Sequence, residues 1–183
     1  MDIVHRVIEN IPLFMEANMP SISLITAFEL NRGIGFKNAL PWPEPIPADW
    51  DYLRKVTHGK KMIMGRKSYD NPHRVWSEAG NFVLTRQACY PVESLFTQVT
   101  SLQDAIYACQ EEEEIFVIGG QQLFEMALPL CQTIHCTHVK AHFESDTFFP
   151  NFDLQAFTAT PILSLEKGLD TPYPIEIIRY DKK

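Results

Sequence analysis

An α/β fold, with a central mixed, mainly parallel sheet flanked by helices and an antiparallel C-terminal edge, is predicted by three features of the sequence. Short apolar, β-branched runs alternate with segments of helical periodicity, the pattern of a sheet with crossover helices. Two of those runs, MIMG (62–65) and IFVIGG (115–120), stop at glycine where a helix then begins. The C-terminal third is strand-rich, which predicts the antiparallel edge.

Taken in order, SISLITAF (21–28) reads as a buried strand ended by polar residues and the glycines of NRGIG. A loop runs to about Pro45, and Pro47 suits a helix start, where its missing N–H is harmless. The segment from Ala48 to about Thr57 reads as a helix closing before Gly59. MIMG is the next strand, RKSYD opens a short helix, and NFVLT (81–85) is a third strand. SLQDAIYACQEEEE places Leu102, Ala105, Ile106 and Cys109 on one helical face, with Ser101 as its cap. IFVIGG is a strand with a double glycine, QQLFEMAL a helix, and TIHCTHV (133–139) and the terminal IEIIRY are strands.

Residues 1–20 stand apart. Ile3, Val7, Ile8 and Ile11 recur at helical spacing, interrupted by Asp2, Glu9 and Glu16. No basic stretch precedes an apolar one, so this is not the pattern of a signal peptide. We read 1–20 as an N-terminal extension of unknown role, either a short amphipathic helix on the domain or sequence ahead of a working start at Met19, and 21–183 as one domain.

A chain of 183 residues with net charge −7 buries a sizeable core and lacks the basic face that nucleic acid or an anionic membrane recruits. No apolar run approaches the ~18 residues of a membrane span. Cys89, Cys109, Cys131 and Cys136 form no CxxC pair and are expected to be free thiols in the cytoplasm. The composition leaves oligomeric state open, with a monomer expected.

PWPEPIPADW (41–50) sets a carboxylate, Asp49, among four prolines and two tryptophans. A bare acid there is either a helix-start device or a binding group for something flat. The glycine-ended strands offer free N–H groups to phosphate. Arg66, Lys67 and Ser68 after the first, and Thr85 with Arg86 after the third strand, add charge and hydroxyls. There is no GxxxxGK[ST], and GIGFKN (33–38) lacks the third glycine of a dinucleotide fingerprint. His135, His138 and His142 do not make a metal site: the first two face opposite ways on a strand, and the second pair spans about 13 Å.

Put in order, SLITA (23–27), NRGIG (31–35), NALPW (38–42), PADW (47–50), IMGRKSY (63–69), NFVLTR (81–86), VIGGQQLFE (117–125) and SDTFFP (145–150) resemble the dihydrofolate reductase family over about Ser21 to Tyr180. A distant alternative, the pyrimidine reductase domain of riboflavin synthesis, shares the fold and an NADPH site but is not expected to carry PW followed by a helix-borne PAD. The resemblance implies a dihydrofolate reductase-like fold and NADPH-dependent hydride transfer to C6 of 7,8-dihydrofolate, with protonation of N5. A same-fold reductase of another pterin or pyrimidine without a glutamate tail, and a non-catalytic folate- or nucleotide-binding relative, stand as alternatives.

By the same resemblance, Asp49 is the acid that accepts paired hydrogen bonds from the pterin ring, and Trp42 backs that ring. Ile25, Ala27, Trp50, Leu53, Ile118 and Thr137 match substrate-pocket positions. The 29–43 loop matches a mobile lid over the nicotinamide, with Ala27 and Ile34 beside that ring. Gly65, Arg66, Lys67, Ser68, Leu84, Thr85 and Arg86 match adenine-side cofactor positions. Gly119 and Gly120, expected to share a cis peptide, match further cofactor positions with Gln121, Gln122 and Phe124. One stretch departs. Where the family carries a PLxGR-like run, whose arginine clamps the substrate's α-carboxylate, this chain has RVWSEAGN (74–81), with Ala79 at that place. Arg54 and Arg74 are the residues that could substitute; Leu53 replaces a common phenylalanine and Trp76 enlarges a pocket wall.

Overall fold

The computed structural model describes residues 19–168 and 171–183; all but the last two residues of the 1–20 extension, and so the choice between its two readings, lie outside them. Ten strands form two sheets. The strands are β1 (Ser21–Phe28), β2 (Gly33–Gly35), β3 (Lys61–Gly65), β4 (Asn81–Leu84), β5 (Phe96–Val99), β6 (Glu114–Val117), β7 (Thr133–Val139), β8 (Thr147–Phe148), β9 (Phe157–Leu165) and β10 (Ile175–Lys182). Among the described residues four α-helices join them: α1 (Pro47–Thr57), α2 (Arg66–Tyr69), α3 (Leu102–Tyr107) and α4 (Gln121–Ala127). The main sheet has the order β5-β4-β3-β6-β1-β7-β10-β9. It is parallel from β5 to β7 and antiparallel at β7-β10-β9, the mixed architecture expected.

Strict alternation along each strand divides the side chains between two faces. On the back, Ile22, Leu24 and Phe28 of β1 meet Ile63, Phe82, Ile115, Val117, Ile134 and Cys136 of neighbouring strands. Helices α3 and α4 close this layer with Leu102, Ala105, Ile106, Leu123, Phe124 and Ala127. On the front, Ile25, Met62 and Phe116 form a smaller cluster with Leu53 and Val56 of α1. Beside it, Trp42 and Ile46 pack on Val139, Ile175 and Ile177. The front face carries α1 and the loop that holds Trp42 and Ile46.

Several boundaries differ from the sequence expectation for physical reasons. The α3 helix ends at Tyr107, well before the glutamates. Four consecutive like charges disfavour continued helix, and Glu114 is drawn into β6, where Ser23 donates to it at 2.6 Å. Ser101 caps the helix as expected, accepting from the Asp104 amide at 3.0 Å. FTQV (β5), GIG (β2), TF (β8) and the long β9 lack a distinctive pattern and were not separable in the sequence. On β9 seven of nine residues are exposed. Its pairing with β10 slips by one residue at Ile177/Ile178, next to Pro161. A proline with a bulge is tolerated only at such an edge.

His135 and His138 turn to opposite faces, as strand alternation requires. His138 Nε2 lies 3.0 Å from the Tyr180 hydroxyl on the back, and burial lowers its pKa to about 4. His135 Nδ1 lies 2.7 Å from the Tyr52 hydroxyl on the front, tying α1 to the sheet, and its pKa is lowered, chiefly by burial. Tyr52→Phe leaves that buried nitrogen without its partner and is expected to cost about 1–2 kcal/mol in chemical denaturation. A loss no larger than that of an exposed Tyr107→Phe change would show that the bond contributes nothing. All four cysteines are free; Cys89 is exposed and the other three are buried. No described helix is long and apolar enough to cross a membrane.

Candidate active site

Asp49 sits in the first turn of α1 with no side-chain cap hydrogen bond at that helix's start. The fixed φ of Pro47 starts the helix there, and the turn points Asp49 at the front of the sheet. Its carboxyl lies beside the side chain of Thr137, which is itself 2% exposed on β7. Burial pushes the Asp49 carboxyl up from 3.8 to about 6, with the Thr137 side chain pulling in the opposite direction. Asp49 is thus a first-turn acid of α1 that makes no cap hydrogen bond and lies beside the buried Thr137 of β7.

The cleft's floor is made of front-face residues. Ile25 and Phe116 lie beneath, Ile118 lies between the two strand clusters, and Leu53 and Val56 of α1 form one wall. Ala27 packs with the Trp42 cluster. Trp42 is 4% exposed, held against Phe143 with ring centroids 6.2 Å apart. Trp50 is half-buried on the same helix as Asp49. Arg54 reaches back to Asp51 at 2.9 Å on the exposed side of α1. Arg74 points elsewhere: it pairs with Glu93 at 2.6 Å, its guanidinium 4.7 Å from the Tyr69 ring and 5.3 Å from that of Phe96.

A groove follows the carboxyl ends of β3, β4 and β6. The Gly65 amide donates to the Gly119 carbonyl at 2.7 Å, and the Gly119–Gly120 peptide is cis. A Cβ on Gly65 would lie 3.6 Å from both Gly119 O and Gly120 N, and one on Gly120 would lie 3.9 Å from Ser68 Oγ. The three glycines thus keep a bare backbone floor. Gly119 has φ +106, and a Cβ there would stand 2.9 Å from Phe124. Phe124 is 2% exposed in the back core, so it underlies the groove at Gly119 and does not line it. Ile34 and Leu84 pack against that same back core. Thr85 is buried, and its hydroxyl accepts the Gln87 amide at 3.2 Å.

Among the described residues Lys67 and Arg86 are exposed cations without an ion pair, whereas Arg66 is paired with Asp70 at 2.8 Å. Asn38, Arg66, Lys67, Asp70, Asp146 and Thr147 line one end of the groove. Gln121 is engaged twice, donating to Glu125 at 2.8 Å and accepting the Phe148 amide at 2.9 Å. Gln122 is exposed.

The 29–46 segment is tied down by groups that sequence reasoning did not single out. Glu29 is fully buried, and its Oε1 accepts the Asn31 and Gly33 amides at 2.9 Å each. Asp146 accepts the Lys37 amide at 2.9 Å, while its own amide donates to Gly35 O at 3.0 Å. The Lys37 amide, then the Thr147 hydroxyl, hold the Asp146 carboxyl below its usual range. Strand β2 pairs with β8 beside these bonds. The signal was available in two places, an acid just before NRGIG and the acid of SDTFFP.

Fold and cleft together are those of an open-sheet α/β enzyme, with its ligand sites beyond the carboxyl ends of the strands. Residues 21–182 match the dihydrofolate reductase family. The dihydrofolate reductase of Bacillus subtilis is 36% identical over 162 residues, covering 88% of this chain and 95% of that protein. That of Staphylococcus haemolyticus is 37% identical over 150 residues, covering 81% and 86%. That of Neisseria gonorrhoeae is 38% identical over 136 residues, covering 74% and 82%. The chain belongs to the dihydrofolate reductase family.

Proposed function

We propose that this chain reduces 7,8-dihydrofolate to tetrahydrofolate with NADPH, using residues of the single domain 21–183. The observation that carries this reading is the placement of one carboxylate, Asp49, against the Thr137 side chain at the inner end of an apolar cleft. When ionised, Asp49 accepts two parallel hydrogen bonds from the ring N3–H and 2-amino group, which orients the ring. The Thr137 hydroxyl holds the carboxylate's direction. Ile25, Ala27, Leu53, Ile118 and Trp50 enclose the ring, and Trp42 keeps the surroundings poor in water. This raises the worth of the ionic contact.

The glycine floor at Gly65, Gly119 and Gly120, the Ser68 and Thr85 hydroxyls and the unpaired Lys67 and Arg86 fit a phosphate-bearing dinucleotide. Arg66, Gln121 and Gln122 border the same groove, and Ile34, Leu84 and Phe124 support it from the core side. Bound NADPH supplies the hydride received at C6 of the substrate. The residues around Asp49 fix which face of the ring is presented while a proton is added at N5.

The test is steady-state oxidation of NADPH, followed optically, with dihydrofolate as substrate. Saturable turnover is expected. NADPH binding without turnover would leave the cofactor groove standing and remove the reductase assignment for this chain.

A further inference from the structure

The cleft does not end at the ring site. Asp49, Leu53 and Val56 fall on one face of α1, and Leu53 and Val56 pack with Val75 of the 70–80 loop. A ligand anchored at Asp49 and longer than its ring must leave along this apolar corridor. At the outer end both arginines are already engaged by carboxylates of the protein. Arg54 is held by Asp51, an exposed pair within one helix. Arg74 is held at 2.6 Å by Glu93 and lies against the paired rings of Tyr69 and Phe96, its side chain 21% exposed. Turning Arg74 inward would strand Glu93 and give up both ring contacts. Ala79 offers no charge, its amide donating to Ser77 Oγ at 3.1 Å, and Glu78 beside it is exposed.

We propose that the outer end of this corridor recognises substrate by apolar contact alone, so that the enzyme takes dihydropteroyl compounds irrespective of the carboxylates on their tails. This rests on the reading of Asp49 as the ring anchor. Arg54, on the exposed side of the same helix as Asp49, would have to exchange one exposed carboxylate for another. Exposed pairs of that kind are worth about fivefold at most.

The experiment compares 7,8-dihydrofolate with a dihydropteroyl amide that keeps the ring and benzoyl group but lacks both tail carboxylates. Dissociation constants are measured on the full chain with the oxidised cofactor NADP⁺, which has no hydride to transfer, by tryptophan quenching at low and high salt. The expected result is a ratio within about tenfold and little salt dependence for either ligand. In Ala79→Arg, dihydrofolate alone is expected to tighten by about tenfold or more and to become salt-sensitive. A wild-type preference for dihydrofolate above about tenfold overturns the proposal, and its loss in Arg54→Ala or Arg74→Ala would name the residue responsible. Because the readout is binding, absent turnover would sink the reductase reading and leave the ratio measurable. Failure of both ligands to bind overturns the Asp49 reading and this proposal with it.

Discussion

Asp49→Asn abolishes dihydrofolate reduction, lowering kcat/KM by roughly 10²–10⁴-fold, leaves NADPH affinity nearly unchanged, and makes the ligand-free protein more stable above neutral pH. The first two effects follow from the proposed role: Asp49 lies on the front face beside Thr137, apart from the glycines at the ends of β3 and β6. The third follows from burial. The carboxyl titrates at about 6 in the folded chain against 3.8 for an ordinary aspartate. Between those two values the folded state holds the proton more tightly than the unfolded state, so stability falls as pH rises from about 4 to 6. Above pH 6 the full cost is present, about 3 kcal/mol from a shift of this size. Asparagine cannot ionise and escapes it. Denaturant melts at pH 8 should show the variant ahead by up to about 3 kcal/mol, and melts near pH 4 should show the two alike. An undiminished reduction rate removes Asp49 from the mechanism. An unchanged stability difference at the two pH values removes burial as the source of its shift.

Gly33→Ala is expected to unseat the 29–46 segment, and Ser145→Gly in the same chain to restore much of it. A Cβ at Gly33 would lie 1.9 Å from Ser145 Oγ, 2.5 Å from Ser145 Cβ and 2.8 Å from Glu29 Oε1. Strand β2 begins at this glycine and pairs with β8, so the added methyl must push the segment off its partner or displace Ser145. Overpacking of this kind costs about 1–3 kcal/mol. The double variant removes the worst contact and leaves the one with Glu29. Recovery should therefore be large but incomplete, a coupling measured by a double-mutant cycle in denaturant and in turnover. Strict additivity of the two changes would mean that the Gly33–Ser145 contact is not what limits the site.

What could be read in the sequence was whatever announces itself locally. The buried parallel strands were legible because SISLITAF, MIMG and TIHCTHV are dense in apolar or β-branched residues and end at polar or glycine signals. The acid's helix was legible from Pro47. Long-range pairing was not. FTQV becomes a strand only because β4 lies beside it, and GIG and TF only because each supplies the other's partner. The same limit governs the site. Asp49 and the glycine strand ends could be named in advance, but the capture of Arg74 by Glu93 depends on a loop nineteen residues away folding back over Tyr69 and Phe96. The Tyr52–His135 bond spans 83 residues and likewise has no sequence signature.

The open edge at β9 has a consequence for how the molecule behaves in company. An unpaired strand presents a row of donors and acceptors that another chain can copy, and this one also displays Ile162 and Leu163, 46% and 37% exposed. Pro161 brings no backbone donor to this strand, and the slipped register beside it interrupts the flat geometry that templated growth needs. The last strand of the sheet is thereby a terminus in assembly as well as in topology: it accepts β10 on one side and offers a crowded solution nothing regular to extend on the other.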